Sequence, residues 1–172
     1  MLKKVCSYIF ILFILISFTG CSGSDEEHIS TGEFSIQQSN DIMAALQSDD
    51  TETFKSYLCP KIHDTHPDLD DEIREFFDFI DGDIISYHAW AAAAGGHTTP
   101  KGWDEKYFSA DVENIETSSG TTYNIQYYYN LIYEDHPELL GIKEICITTS
   151  DAEYDQQTGY PPGKYRIITI KD

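Results

Sequence analysis

Residues 121–134 read TTYNIQYYYNLIYE, with an aromatic or aliphatic side chain at every second position from Tyr123 to Tyr133. Those positions are Tyr123, Ile125, Tyr127, Tyr129, Leu131 and Tyr133. The intervening positions are mostly polar: Thr122, Asn124, Gln126, Tyr128, Asn130 and Ile132. A period of two is typical of a β-strand whose successive side chains point to opposite faces of a sheet. We therefore predict one long strand, with the first set on one face and the second set on the other.

Four other segments show strand-like patterns, and they cover residues 84–94, 107–116, 142–149 and 165–171. Between the first two, the glycines and the proline of residues 95–102 predict a long loop. The tetrapeptide TSSG at residues 117–120 predicts a hairpin turn, and residues 151–163 predict an exposed loop. These segments together predict an antiparallel sheet of about five strands.

The chain before residue 81 has helical periodicity, and the predicted helices cover residues 36–48, 51–58 and 68–80. The pair Cys59-Pro60 should end the second helix, and residues 63–67 should form a loop. The third helix carries a continuous apolar stripe made of Leu69, Ile73, Phe76, Phe77 and Ile80. Helices followed by consecutive strands predict an α+β domain, with the helices packed on one face of a curved antiparallel sheet that forms a cone.

The first residues determine where we expect the protein to work. Lys3 and Lys4 precede an uncharged apolar run over residues 5–18, and Gly20-Cys21 follows it. That order is typical of an export signal, and the run is shorter than the roughly 20 residues that span a bilayer. It resembles a bacterial lipoprotein signal, which implies cleavage before Cys21 and acylation of that cysteine; an uncleaved N-terminal anchor is the alternative.

This interpretation divides the chain into three parts. Residues 1–20 would be the lipoprotein signal peptide, residues 21–33 a flexible acidic tether with lipidated Cys21, and residues 34–172 a single cone domain. The protein would be anchored by its lipid to the outer face of the cytoplasmic membrane.

The charge of the chain limits its partners. Thirty acidic residues face eleven lysines and arginines, which gives a formal net charge of −19 at pH 7. Such a chain repels phosphate backbones, so we expect no nucleic-acid partner. Anionic lipid would repel it as well, so membrane attachment must come from the acyl chains. The acidity either keeps an exported protein soluble or serves a cationic partner or divalent ions.

Cys59 and Cys146 either form a disulfide outside the cell or stay buried as free thiols. Cys59 also has His63 and His66 nearby, with Asp64 or Asp68 as a further ligand, which are residue types that zinc accepts. The usual paired ligand motif is absent. We therefore predict no metal and no other cofactor.

The tyrosines of residues 121–134 are the candidates for ligand binding. Inside a cone, Tyr127, Tyr129 and Tyr133 could line a cavity and offer hydroxyl groups, and His88 and Trp90 could join them. The alternative is that these side chains are ordinary core residues. The sequence contains no recognisable catalytic set, so we assign no catalytic residue.

Several short strings resemble known families. Residues 45–50 (ALQSDD) and 54–58 (FKSYL) are similar to the opening of the nuclear-transport-factor-2-like, or cystatin-like, cone fold. Residues 76–87, 113–117 and 136–142 resemble an uncharacterised family of exported lipoproteins from Gram-positive gut bacteria. The resemblance implies the cone fold, which hosts isomerases, dehydratases and non-catalytic binding modules, so it does not select an activity.

Taken together, these patterns favour a non-catalytic, membrane-anchored lipoprotein that binds a small ligand or an envelope protein. The alternative is a small enzyme of the ketosteroid-isomerase or dehydratase kind. A homodimer through the open face of the sheet is compatible with either.

Overall fold

The computed structural model describes residues 30–152 and 164–171, and four α-helices precede the sheet in this part of the chain. They are α1 (Thr31–Gln47), α2 (Thr51–Ser56), α3 (Pro60–Thr65) and α4 (Leu69–Asp78). The signal-like segment and Cys21 lie outside the described residues. Among the described residues, no helix is long and apolar enough to cross a membrane.

Helix α1 begins five residues before the start that its periodicity predicts. The Ser30 hydroxyl accepts a hydrogen bond from Glu33 N at 3.2 Å, and the Glu33 carboxylate accepts one from Ser30 N at 3.0 Å. This reciprocal capping box satisfies two amides that the first turn leaves unpaired. The helix therefore includes residues 31–33, which the sequence assigns to the tether.

Helix α3 occupies a stretch for which the sequence predicts a helix end and then a loop. Pro60 lies in its first turn, where a missing N–H costs nothing and the fixed φ suits a helix. Helix α4 agrees closely with the predicted helix 68–80, and it buries Leu69, Ile73, Phe76 and Phe77. Asp68 precedes it, but its side chain makes no capping hydrogen bond.

The strands form a single antiparallel, open and curved sheet. In the described residues it has six strands: β1 (Ile84–Ala89), β2 (Gly95–Thr99), β3 (Gly102–Thr117), β4 (Thr122–Tyr133), β5 (Gly141–Thr149) and β6 (Tyr165–Thr169). Their order is β1-β3-β4-β5-β6, and β2 also pairs with β3. The predicted α+β fold is confirmed. The additional strand is β2, which the sequence predicts as part of a long loop.

The core lies between the helices and one face of the sheet. Phe54 and Phe76 contribute from the helices, with ring centroids 5.3 Å apart. Phe108 and Tyr127 contribute from β3 and β4, with centroids 6.0 Å apart. Burial of such large aromatic side chains supplies most of the driving force for packing the helices on the sheet.

A buried histidine ties three elements together. His66 follows α3, and its Nδ1 lies 2.6 Å from the Glu72 carboxylate of α4. Its Nε2 lies 2.7 Å from the carbonyl oxygen of Thr169 at the end of β6. Burial acts to raise the pKa of Glu72, but hydrogen bonds from Lys171 and His66 hold that pKa below its ordinary value. Both ring nitrogens of His66 are thus engaged in holding the fold.

Cys59 and Cys146 are both buried and both free, which resolves the alternative that the sequence left open. Burial raises the pKa of the Cys146 thiol to about 12, and it also raises that of Cys59. Because the thiolate is the reactive form, both cysteines should be chemically inert in the folded protein.

The hydroxyl of Tyr127 gives a test of the core. It donates to the carbonyl of Ser35 at 3.2 Å and lies 2.9 Å from the Ser39 hydroxyl. Tyr127→Phe leaves these buried groups of α1 short of a partner, so we expect the free energy of unfolding in urea to fall by about 1–2 kcal/mol. Tyr133→Phe is the control, because the Tyr133 hydroxyl makes no hydrogen bond within the described residues. Equal losses in the two variants would contradict this account.

Candidate functional site

An open cleft of about 790 Å³ lies at one end of the sheet, between helices α1 to α3 and β4. We call it the β4 cleft. Its apolar and aromatic lining residues are Phe34, Tyr57, Leu58, Pro60, Tyr129, Leu131 and Leu140. Its polar lining residues are Ser56, His63, Asp64 and Asn130, and Gly141 completes the set.

One wall of the cleft is the link between α2 and α3, which is hydrogen-bonded to β5. The Ile142 N–H donates to the carbonyl of Tyr57, and the Cys59 N–H donates to the carbonyl of Ile142, both at 2.9 Å. Leu58 thereby pairs with Ile142 as an isolated parallel bridge. This pairing fixes the distance between the helical wall and the sheet.

Gly141 permits this close approach. Its φ is +108°, and a Cβ added there would lie 3.0 Å from the Tyr57 carbonyl oxygen and 3.3 Å from the Cys59 nitrogen. Both the backbone conformation and the space therefore require glycine at this position.

The floor of the cleft is an irregular part of β4. Tyr129, Asn130 and Leu131 are consecutive, yet all three line the cleft. Strict alternation predicts Asn130 on the face opposite Tyr129. The pairing register shifts between Tyr128 and Tyr129 on the β5 side, and between Lys106 and Tyr107 on the β3 side. On the β5 side the extra residue is Lys143 of β5, and on the β3 side it is Leu131 of β4. The bulge at Leu131 interrupts the alternation of β4 at the floor of the cleft.

The ring of Tyr129 is held by two phenylalanines. Its centroid lies 5.5 Å from that of Phe34 on α1 and 5.3 Å from that of Phe108 on β3. Burial raises the pKa of Tyr129, so the hydroxyl stays protonated at neutral pH. This hydroxyl makes no hydrogen bond to any residue of the described part, and it is therefore available to a ligand.

The other polar groups of the cleft differ in how they are held. Asn130 is only 3% exposed, and its Nδ2 donates to the carbonyl of Leu139 at 3.0 Å. The Ser56 hydroxyl donates to the carbonyl of Thr53. His63 and Asp64 are exposed at the rim and make no hydrogen bond or ion pair within residues 30–152 and 164–171.

The structure separates the five residues for which the sequence predicts ligand binding. Tyr129 lines the β4 cleft, whereas Tyr127 lies in the core beneath α1. Tyr133 lies at the end of β4, with its ring 5.0 Å from His136. His88 and Trp90 lie together on and just beyond β1, with ring centroids 4.2 Å apart. A binding role for these residues stays a prediction.

The residues considered above for zinc are also separated. Within the described ranges, no group of three histidine, cysteine, aspartate or glutamate side chains is placed to hold a metal ion. His66 is engaged with Glu72 and Thr169, and Cys59 is buried, while His63 and Asp64 lie at the rim of the cleft.

Among the lining residues, sequence reasoning predicted only Tyr129 for ligand binding and missed the others, including Phe34, Asn130 and Leu140. A signal existed for Phe34, because the Ser30-x-x-Glu33 pattern before it is typical of a helix start. No comparable signal marks Asn130 or Leu140, which reach the cleft through irregular strand pairing and a short 3₁₀ turn (Pro137–Leu139).

The fold and the site define a class: an α+β domain in which the helices and a curved antiparallel sheet form the walls of an open, mostly apolar cleft of ligand size. The chain belongs to the family described as Domain of unknown function (DUF5104), whose model matches residues 41–150. No curated protein matches the sequence. The matched region contains every lining residue of the β4 cleft except Phe34.

Gly141→Ala tests whether the junction between the helical wall and β5 is as tight as its distances indicate. We expect this variant to unfold at lower urea concentration, with a loss of about 2–4 kcal/mol, because the methyl group meets backbone atoms. Gly102→Ala is the matched control, since Gly102 also has a positive φ, of +129°, but open space around its Cβ position. If both variants lost the same stability, backbone strain alone would account for the effect and the tight contact would be refuted.

Proposed function

We propose that this protein is a non-catalytic binding module, and that the β4 cleft takes a small, mostly apolar ligand. The single observation that carries the proposal is the cleft itself, with its volume of about 790 Å³ and its mainly apolar lining. Ligand sites in proteins are typically concave, roughly 300–1,000 Å³ in volume, and lined by apolar side chains with a few polar groups.

The polar groups of the cleft support binding over catalysis. An isomerase or dehydratase of the kind considered above would need a carboxylate or a histidine, desolvated and close to a tyrosine hydroxyl. The carboxylate and the imidazole that line the cleft belong to Asp64 and His63, and both residues are exposed. Solvent therefore competes for both groups, which favours recognition over proton abstraction.

We further propose that the domain acts outside the cell, attached through lipidated Cys21 to the outer face of the cytoplasmic membrane. The support is the order of residues 3–21: two lysines, an uncharged apolar run, then glycine and cysteine. Only a short stretch of chain separates Cys21 from Phe34, so the cleft would stay close to the membrane surface.

An envelope protein or a second copy of the chain is the competing partner. The exposed aromatic residues of the sheet region, Trp90, Trp103 and Tyr107, favour such a contact, because aromatic side chains are enriched at protein interfaces. The concave shape of the β4 cleft fits a small molecule better than a flat protein surface.

A pair of exposed apolar residues allows a matched test of the cleft. Leu140 lines it and is 37% exposed, whereas Ile85 on β1 is 66% exposed and does not line it. A screen of small apolar molecules by thermal shift should find binders, because a ligand of the native state raises the melting temperature by mass action. Leu140→Glu should weaken the best binder by about tenfold or more, while Ile85→Glu should leave its affinity unchanged. An unchanged affinity in Leu140→Glu would remove the cleft as the site.

Metabolic labelling tests the anchor. In the producing cells, an alkyne-bearing palmitate should label the wild-type protein, and the label should be found in the membrane fraction. Cys21→Ser should abolish the label, because the acylated side chain is gone. Cys59→Ser is the control and should remain labelled, since Cys59 is buried in the domain. A wild-type protein that is unlabelled and cytosolic would refute the anchoring.

A further inference from the structure

The face of the sheet that points away from the helices carries an exposed tryptophan beside β1. His88 of β1 lies opposite Glu113 of β3 in the pairing. Val112, next to Glu113, is buried in the core, so Glu113 and His88 point to the outer face. Trp90 lies two positions after His88, and its backbone N–H donates to the carbonyl of Asp111 at 3.1 Å, so its side chain shares that face. Trp90 is 51% exposed.

The ring of Trp90 is already held in place. Its indole N–H donates to the Glu113 carboxylate at 2.9 Å, and its centroid lies 4.2 Å from that of His88. A side chain fixed in this way loses little rotamer freedom when a partner packs on it. The carboxylate can accept further hydrogen bonds, because only its Oε2 accepts one within the described residues. An exposed ring and a carboxylate oxygen are thus presented together.

The charge of this face is negative and is not balanced by ion pairs. Three carboxylates of β3 accept hydrogen bonds from neutral side chains: Asp111 from Gln126, Glu113 from Trp90, and Glu116 from Ser86. In the part of the chain that the structure describes, none of the three forms an ion pair. Residues 84–100 and 107–142, which include β1 and β4, contain no lysine or arginine. The outer face around Trp90 therefore attracts cations.

Trp90 differs from two other exposed aromatic residues of the sheet region in having no cation beside it. The Lys106 ammonium lies 5.8 Å from the centroid of the Trp103 ring, and the Lys143 ammonium lies 5.9 Å from that of Tyr107. Among the described residues, no lysine or arginine lies over the Trp90 ring. This ring is therefore open to a cation from another molecule.

Arginine is the cation that this combination fits best. Its planar guanidinium can stack on an aromatic ring while its N–H groups donate to a neighbouring carboxylate. The lysine ammonium is a compact and strongly hydrated charge, so it gains less from the same ring. The free oxygen of Glu113 beside the Trp90 indole offers the two contacts that a guanidinium can make at once.

The exposure of Trp90 favours a protein as the source of that arginine. A site for a small molecule normally buries most of the ligand, whereas Trp90 is half exposed and does not line the β4 cleft. Tryptophan and arginine are enriched among the residues that dominate protein interfaces. A second copy of the chain is disfavoured, because each copy carries a formal net charge of −19.

We propose that the outer face around Trp90 docks an arginine-rich segment of another protein. One guanidinium stacks on the Trp90 indole and donates to the Glu113 carboxylate, and further arginines of the segment face Asp111 and Glu116. We call this region the Trp90 surface. It is separate from the β4 cleft, so the inference goes beyond the proposed function and does not depend on it.

The Trp103→Phe variant makes the test specific to this surface, because the chain has two tryptophans and Trp90 then becomes the sole one. The probes are four capped peptides in which glycine alternates with arginine, lysine, glutamine or glutamate, titrated at pH 7 and low salt. The arginine peptide should change the Trp90 fluorescence and bind at least about threefold more tightly than the lysine peptide and tenfold more tightly than the glutamine peptide. The glutamate peptide should not bind. An unchanged Trp90 fluorescence, or equal affinity for lysine and arginine, would overturn the proposal.

Free argininamide separates a protein segment from a small cation. It should bind at least about tenfold more weakly than the arginine peptide, because the peptide brings several guanidinium groups to the three carboxylates at once. If the two bound equally well, the surface would be a site for a small cation, and the docking of a protein segment would be refuted.

The variant Glu113→Gln separates a local contact from the general attraction of an acidic protein. In the Trp103→Phe protein it should weaken the arginine peptide by about three- to tenfold, because the carboxylate beside the indole is lost. Glu52→Gln is the matched control, since it removes the same charge from an exposed residue of α2, and it should change the affinity by less than about twofold. Equal effects of the two substitutions would contradict a site at Glu113.

Two variants of Trp90, measured by isothermal titration calorimetry, isolate the contribution of the ring. Trp90→Leu keeps an apolar side chain but removes the aromatic face, and it should weaken the arginine peptide by about three- to tenfold. Trp90→Phe keeps an aromatic face and should recover most of that loss. Recovery by neither variant, or full affinity in Trp90→Leu, would refute the stacking. Where a Trp90 variant fails to fold, Glu113→Gln decides the matter.

Discussion

The antiparallel pairing of β3 with β4 is the interaction on which the rest of the structure depends. It extends from Glu105 opposite Tyr133 to Glu116 opposite Thr122, along nearly the whole of both strands. The strands β1 and β2 attach to the free edge of β3, and β5 attaches to the free edge of β4. The inward faces of both strands bury the side chains against which the helices pack. Because β3 and β4 are joined by a short hairpin turn, this pairing closes only a short loop, and it therefore costs little conformational entropy of the chain.

The elements with strong periodicity could be predicted from the sequence, and the reason is burial on one face. The β4 strand ends within one residue of the predicted 121–134 at each end, because an alternating apolar face specifies register. The α4 helix was equally predictable, since Phe76 and Phe77 lie on a stripe that only a helix can place against one core. In both cases the hydrophobic pattern and the local conformational preference agree.

The elements without such a pattern could not be predicted in the same way. The sequence of β2 is GGHTT, which has no apolar alternation, and the strand exists because β3 offers it a free edge. Helix α3 begins at Pro60, and a proline is compatible with either the end or the start of a helix, so only tertiary contacts decide between them. Neither segment contributes enough apolar side chains for its conformation to be fixed locally.

The β4 cleft could not be predicted for a related reason. It forms where the regular pairing of the sheet fails, at the register shifts beside Tyr128 and at Gly141, where the helical wall bonds to β5. In a regular sheet Asn130 would point away from Tyr129, and its amide would meet solvent or a cross-strand neighbour. Here the Asn130 side chain is buried instead, and its Nδ2 donates to the carbonyl of Leu139 in the 3₁₀ turn at 3.0 Å. The position of the cleft is thus set by the bulge at Leu131 and by the close backbone contact at Gly141, and neither feature leaves a periodic signal in the sequence.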